Sequence, residues 1–144
     1  MRVSGIISAK GSTVATISPL ATVAEAADNL RLHGIGALVV SQDGIAILGV
    51  ISEREIVRAL AERGGHVLQE SVTDLMTTDV VTCGPEDSLE KIMSLMTNRR
   101  IRHLPVAVEG ALSGIVSIGD VVKWRLTELE DETRQMHSYI STGR

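Results

Sequence analysis

Gly49-Val50-Ile51-Ser52-Glu53-Arg54-Glu55-Ile56 and Gly114-Ile115-Val116-Ser117-Ile118-Gly119-Asp120-Val121 are one phrase written twice. Each passes from a glycine through two aliphatic residues to a serine, then reaches an acid three positions on. That pattern predicts a strand ending where a helix begins. At such a junction Ser-x-x-acid can be a capping box, the serine oxygen accepting from the helix backbone while the acid reaches back to the serine amide. The same junction also suits a nucleotide. A helix start offers unpaired amides to a phosphate, and a carboxylate can accept two hydrogen bonds from a ribose diol. Capping is the stronger reading for Ser52 and Glu55. Ligand binding gains weight at Ser117 and Asp120, because Asp is a methylene shorter than Glu and Gly119 lets a ligand approach the backbone closely.

Working outward, residues 14–40 align with 80–106 at a constant offset of 66, pairing Pro19 with Pro85, Thr22 with Ser88 and Ile35 with Ile101. Beyond Gly44 and Gly110 the first copy carries an extra residue, and the offset of 65 then pairs Ser52 with Ser117 and Glu55 with Asp120. Each copy reads as strand, helix, strand, turn, strand, helix. Thr22 and Ser88 are the expected N-caps. Val23, Ala26, Ala27 and Leu30 form the buried stripe of one first helix, and Leu89, Ile92, Met93 and Met96 that of the other. Residues 37–40 and 104–108 read as hairpin strands returning through 46–51 and 111–116. About three strands is near the minimum for an independent sheet, so each copy is expected to bury its apolar face against the other.

The expected fold is therefore mixed α/β (α+β): two pseudo-twofold-related β-α-β-β-α repeats packed sheet to sheet, plus an extended C-terminal helix. Its divisions are an N-terminal segment 1–12, a first repeat 13–64, a connector 65–78 with a short helix at 72–76, a second repeat 79–125 and a helical extension 126–144. Along the final segment from Gly119 to about Ile140, Val122, Leu126, Leu129, Thr133, Met136 and Ile140 recur at spacings of four and three, a seam for the chain's own body or for a second copy.

Composition narrows the function. The chain has 144 residues, 44% of them apolar, with one Trp, one Tyr and no Phe, so a planar ligand would be gripped by aliphatic walls. A net charge of −4 argues against a nucleic-acid footprint, which is built from clustered Lys and Arg. In the basic run Arg99, Arg100, Arg102, His103 the first two read as a solvated face, and strand alternation from Ile101 would send Arg102 and His103 to opposite sides. Cys83 is the sole cysteine, the N-terminus lacks a signal-peptide core, and no apolar run nears the ~18 residues of a membrane span, so the expectation is a cytoplasmic protein without a membrane partner. His33, His66, His103 and His137 show no metal-ligand spacing, and no Gly-rich phosphate loop is present. Cys83 with His103 is a conceivable nucleophile pair, but an inert buried thiol is the favoured reading. No metal, catalytic cofactor or enzyme activity is expected.

From about residue 10 to its end the chain resembles the CBS-domain family. The resemblance rests on the duplicated phrase, on Gly34-Ile35-Gly36-Ala37-Leu38-Val39-Val40, on Asp74-Leu75-Met76-Thr77 and on Arg102-His103-Leu104-Pro105-Val106. It is closest to short stand-alone bacterial two-repeat proteins. This implies a Bateman module, a pair of repeats whose clefts take AMP, ATP or NAD as a regulatory ligand. The implied main site joins Val80, Thr82, Arg102, His103 and Pro105 to Ser117, Gly119 and Asp120 of the same repeat. The implied second site uses Thr16, Ala37, Ser52, Arg54 and Glu55, and is the weaker because Glu55 stands where the family has Asp. A homodimer through helices and an unidentified regulated protein are the implied partners. The competing class is a nucleotide-free dimerisation or protein-interaction scaffold.

Overall fold

The structure, a computed structural model, describes residues 1–142. The first copy builds a three-stranded sheet from β1 (Thr16–Ile17), β2 (Ala37–Val40) and β3 (Gly49–Ser52). β1 runs parallel to β2 with Ile17 opposite Val40, and β3 runs antiparallel with Ala37 opposite Ser52. All four residues of β2 are buried, which is why Ala-Leu-Val-Val shows no alternation. α2 (Val23–His33) starts where Thr22 Oγ1 accepts from the Glu25 amide at 3.1 Å. It stops at Gly34, whose left-handed φ of 62° lets its N–H reach back to the Arg31 and Leu30 carbonyls. α3 (Glu53–Arg63) follows β3 without a break.

The second copy repeats the plan with α4 (Leu89–Arg99), the hairpin β4 (His103–Val108) and β5 (Ala111–Ser117), and α5 (Ile118–Thr142). Its expected first strand shrinks to one parallel bridge between Cys83 and Val106, followed by a turn at Pro85 and Glu86. The first copy's return strand begins only at Gly49. Ala46 instead bridges Ala111 of the other copy, and the Leu112 amide donates to Ile45 O at 2.8 Å. Met93 of the expected stripe is exposed, whereas Leu89, Ile92 and Met96 are buried.

The apolar interior falls into two clusters, each completed by a segment from elsewhere in the chain. Leu38, Val40 and Ile51 pack with Val67 and Val72, carried on two 3-10 turns, Gly65–Gln69 and Val72–Asp74, of the connector. Leu89, Ile92, Leu104 and Val116 pack with Val3 and Ile6 of α1 (Val3–Lys10). Burying one such side chain contributes roughly 1.5–3 kcal/mol, so residues 3–10 are a structural part of the second copy. The pseudo-twofold is visible in detail. Ile7 presses on Gly114 as Met76 presses on Gly49, leaving 2.8 and 2.6 Å to where a Cβ would stand. The first amide of α3, on Glu53, donates to Gly36 O at 3.0 Å, and the first amide of α5, on Ile118, to Arg102 O at 2.8 Å.

α5 is continuous through residues 125 and 126, where the second repeat was expected to give way to an extension. Its apolar seam finds no cover on the chain's own body: Leu126, Met136 and Ile140 are 55%, 66% and 69% exposed.

Candidate functional site

Between the copies lies a cavity of about 160 Å3. One wall comes from the first copy, with Ala37 and Val50 on the sheet and Ser52, Glu53, Arg54 and Glu55 at the start of α3. The facing wall comes from the second copy, with Asp79, Val80, Val81, Arg100, Arg102, His103 and Pro105, and the connector adds Thr77. Ala37, Val50, Val80, Val81, Ile101 and Pro105 make the aliphatic surface that the lack of aromatic residues led one to expect.

The polar groups are held in place by the local fold. Glu55 Oε2 accepts from the Ser52 amide at 2.9 Å and from the Ser52 hydroxyl, while Oε1 accepts from Thr77 Oγ1 at 3.1 Å. Thr77 is itself fixed by paired backbone hydrogen bonds with Val50 at 2.9 and 3.0 Å. Arg54 Nη1 donates to Arg100 O at 3.0 Å, tying the start of α3 to the left-handed residue that ends α4. His103 lies against Gly36, where a Cβ would come within 3.0 Å of its Cε1. Burial lowers the His103 pKa below the ordinary imidazole value; Glu53 and Asp120 pull it up, Lys10 and Arg102 down. The ring is neutral at neutral pH and can donate from one nitrogen and accept at the other.

These positions redraw the grouping expected from the sequence. The cavity joins Val80, Arg102, His103 and Pro105 of the expected main site to Ala37, Ser52, Arg54 and Glu55 of the expected second one. Ser117, Gly119 and Asp120 lie outside it, as do the exposed Thr82 and Thr16. The start of β4 meets the start of its own α5, where His103 pairs with Ser117 and the Ile118 amide donates to Arg102 O, and it also lines the cavity opposite the start of α3. The alternation argument fails, since β4 begins only at His103 and Arg102 precedes it. Arg100, read from sequence as a solvated face, lines the cavity, as do Gly36, Glu53, Thr77 and Asp79, none of which was expected as a site residue although the first three lie within the quoted motifs.

Asp120 is held differently. Despite its shorter side chain it completes a capping box: Oδ2 accepts from the Ser117 amide at 2.9 Å, and Ser117 Oγ accepts from the Asp120 amide at 3.2 Å. Lys10 Nζ then donates to the same carboxylate oxygen at 2.6 Å and to Ile115 O at 3.0 Å. Burial pushes the Asp120 carboxyl up, but Lys10 and the Ser117 amide and hydroxyl outweigh it and leave the pKa below the ordinary value. By pseudo-symmetry Asp79 is the counterpart of Lys10, as Val72 is of Val3 and Met76 of Ile7. One acid is thus bridged by a lysine, while the other stands beside an open cavity with an aspartate.

Cys83 is buried in the second cluster, and desolvation with the nearby Asp87 pushes its thiol up to about 11, so it stays protonated at neutral pH. Among the described residues, no group of three or more His, Cys, Asp or Glu is placed to hold a metal ion. No described helix is long and apolar enough to cross a membrane.

A family profile described as CBS domain matches residues 3–62 and 72–127. The chain is 37% identical over 126 residues to the CBS domain-containing protein CBSX3, mitochondrial, of Arabidopsis thaliana, covering 85% of this chain but 61% of that protein's length. Among solved structures, the CBS-domain containing protein ATU1752 from Agrobacterium tumefaciens superposes with a TM-score of 0.84 at 42% identity, covering 87% of this chain and 99% of the other. The CBS domain protein PAE2072 from Pyrobaculum aerophilum, complexed with AMP, gives 0.74 at 26% identity, covering 83% and 89%.

Proposed function

The chain belongs to the CBS-domain family, and from that premise we propose that it is a regulatory module that takes an adenosine nucleotide between its repeats and performs no chemistry on it. The observation that carries this reading is the cavity itself, which faces the acid of one repeat with the aliphatic strand and histidine of the other. Ala37, Val50, Val80 and Pro105 grip the base, and His103 with the surrounding backbone reads its edge. Glu55 and Thr77 hold the ribose hydroxyls, and the arginines face the phosphate. The AMP complex of PAE2072, a protein of this fold, supports an adenosine ligand. Cys83, the sole cysteine, keeps a protonated thiol and does not line the cavity. Occupancy is read by a partner protein in the cytoplasm.

Equilibrium dialysis of the purified chain against AMP, ADP, ATP and NAD tests this, with chromatography of the nucleotides afterwards. Retention of at least one at millimolar concentration, recovered unchanged, is the expected result. Failure of all four to bind would leave the scaffold function, and turnover of any would make the protein an enzyme.

The exposed seam on α5 favours a second copy of the chain as a further partner. In a parallel pair, Leu126, Thr133 and Ile140 alternate with Val122, Leu129 and Met136 along the interface, and the flanking positions set Arg125 against Glu130 and Glu132 against His137. An antiparallel pair centred on the same seam sets Glu130 and Glu132 each against its own copy. Charge therefore selects the parallel homodimer.

A further inference from the structure

Arg54, Arg100 and Arg102 line the cavity, and the same three arginines line an adjoining, more open groove with Met96, Thr97 and Ile118. They form the ridge between two concavities. Among the described residues none of the three takes part in an ion pair, although six other basic side chains do. With no carboxylate paired to any of the three, their donors are open to an anion.

The opening amides of the two helices are already engaged. The first amides of α3 and α5 already donate to Gly36 O and Arg102 O, and the Ser52 amide to Glu55. Glu53, Glu55 and Asp79 on the cavity wall repel negative charge from its interior. The cavity, at about 160 Å3, is smaller than the ~300–1,000 Å3 typical of sites that enclose a whole drug-sized ligand. The end of the ligand that carries the phosphates therefore leaves the cavity over the arginines.

We propose that this site is built for a nucleoside with a polyphosphate tail, the tail crossing Arg54, Arg100 and Arg102 into the adjoining groove, so that a nucleoside triphosphate binds in preference to the monophosphate. The inference rests on the nucleotide-binding reading above and deepens it. A monophosphate ends at the ridge. The β- and γ-phosphates reach the guanidinium groups on its far side, and each charge-assisted contact strengthens binding about tenfold.

Calorimetry with adenosine, AMP, ATP and inorganic tripolyphosphate tests it on the wild type, on the double variant Arg100→Gln, Arg102→Gln, and on Arg99→Gln, an exposed neighbour that lines neither concavity. ATP is expected to bind the wild type and Arg99→Gln at least about tenfold more tightly than AMP, and the ratio is expected to fall towards one in the double variant, with thermal melts confirming that all three fold. Equal affinities for AMP and ATP in the wild type overturn the inference while leaving a nucleotide site in place. A ratio unchanged in the double variant overturns it too, as does tripolyphosphate binding as tightly as ATP, which would make the ridge a plain anion site. If neither adenosine nor any nucleotide binds, it is the underlying nucleotide reading that fails.

Discussion

Lys10 Nζ lies 2.6 Å from Asp120 Oδ2, so the acid that the sequence resemblance assigned to the main site is engaged by a helix from the far end of the chain. The ion pair is partly buried, with 32% and 21% of the two side chains exposed, and Lys10 also spans to Ile115 O. A nucleotide entering that side must displace a charge-assisted contact, whereas beside Glu55 the corresponding residue is Asp79 and nothing cationic blocks the acid.

Wild-type protein is therefore expected to bind one nucleotide per chain. Lys10→Met keeps the length of the side chain and removes the ammonium, and should expose a second, weaker binding event in calorimetry. A stoichiometry of one in both proteins would show that Lys10 is not what closes that side.

Both acids cap a helix, so Glu55→Ala and Asp120→Ala should each lower stability in urea by roughly 0.5–2 kcal/mol. Only Glu55 borders the cavity, and losing charge-assisted hydrogen bonds worth about 1.5–3 kcal/mol should weaken nucleotide binding tenfold or more. Asp120→Ala is expected to leave that affinity within about threefold. The motif taken alone predicts the opposite order, so calorimetry on the two variants separates the readings.

Gly49 and Gly114 occupy equivalent places with unequal tolerance. A Cβ at Gly49 would meet Met76 Sδ at 2.6 Å and the Thr77 carbonyl at 2.8 Å, while at Gly114 it would meet the tip of Ile7 at 2.8 Å. A side-chain tip can swing aside, but a carbonyl in a backbone bridge cannot. Gly49→Ala should cost about 1–3 kcal/mol and also disturb Thr77, and Gly114→Ala should cost less. Equal melting temperatures for the two would contradict this account.

The burial of His103 has a pH signature. Its folded pKa is below the ordinary value of 6.5, so between the two values the unfolded chain binds more protons than the folded one. Stability is full above about 6.5 and falls as pH drops through that window. Asp120 contributes a separate loss only at lower pH, as it is protonated below the usual carboxylate range. Replacing His103 by Gln should flatten the upper window in denaturant titrations and leave the lower one; a slope unchanged near pH 6 would mean that another group titrates there.

For the homodimer, Leu126→Glu with Met136→Glu places charge in the seam without touching Trp124, which packs against the second cluster. Light scattering should give a dimer mass for the wild type and a monomer mass for the variant, with unchanged nucleotide binding. A wild type that stays monomeric at high concentration would assign the seam to a different protein.

By itself the sequence determined the duplication, the α/β class and the local starts and stops, because these depend on short-range chemistry. Thr22 and Ser88 cap their helices, Ala37 to Val40 form a fully buried strand, and Ser52 and Ser117 stand where strand becomes helix. It also supplied half the residues of the cavity wall, including Val80, Arg102, His103, Pro105 and Glu55. Only the tertiary structure decided which of them meet. The pseudo-twofold sets β4 of one copy against the start of α3 of the other, and the exchange of α1 and the connector places Lys10 on Asp120 and Thr77 on Glu55. Those pairings join residues 110 and 22 positions apart, and no periodicity along the chain records them. They depend on which distant segment completes each cluster, α1 for the second and the connector for the first, and so on the whole chain at once.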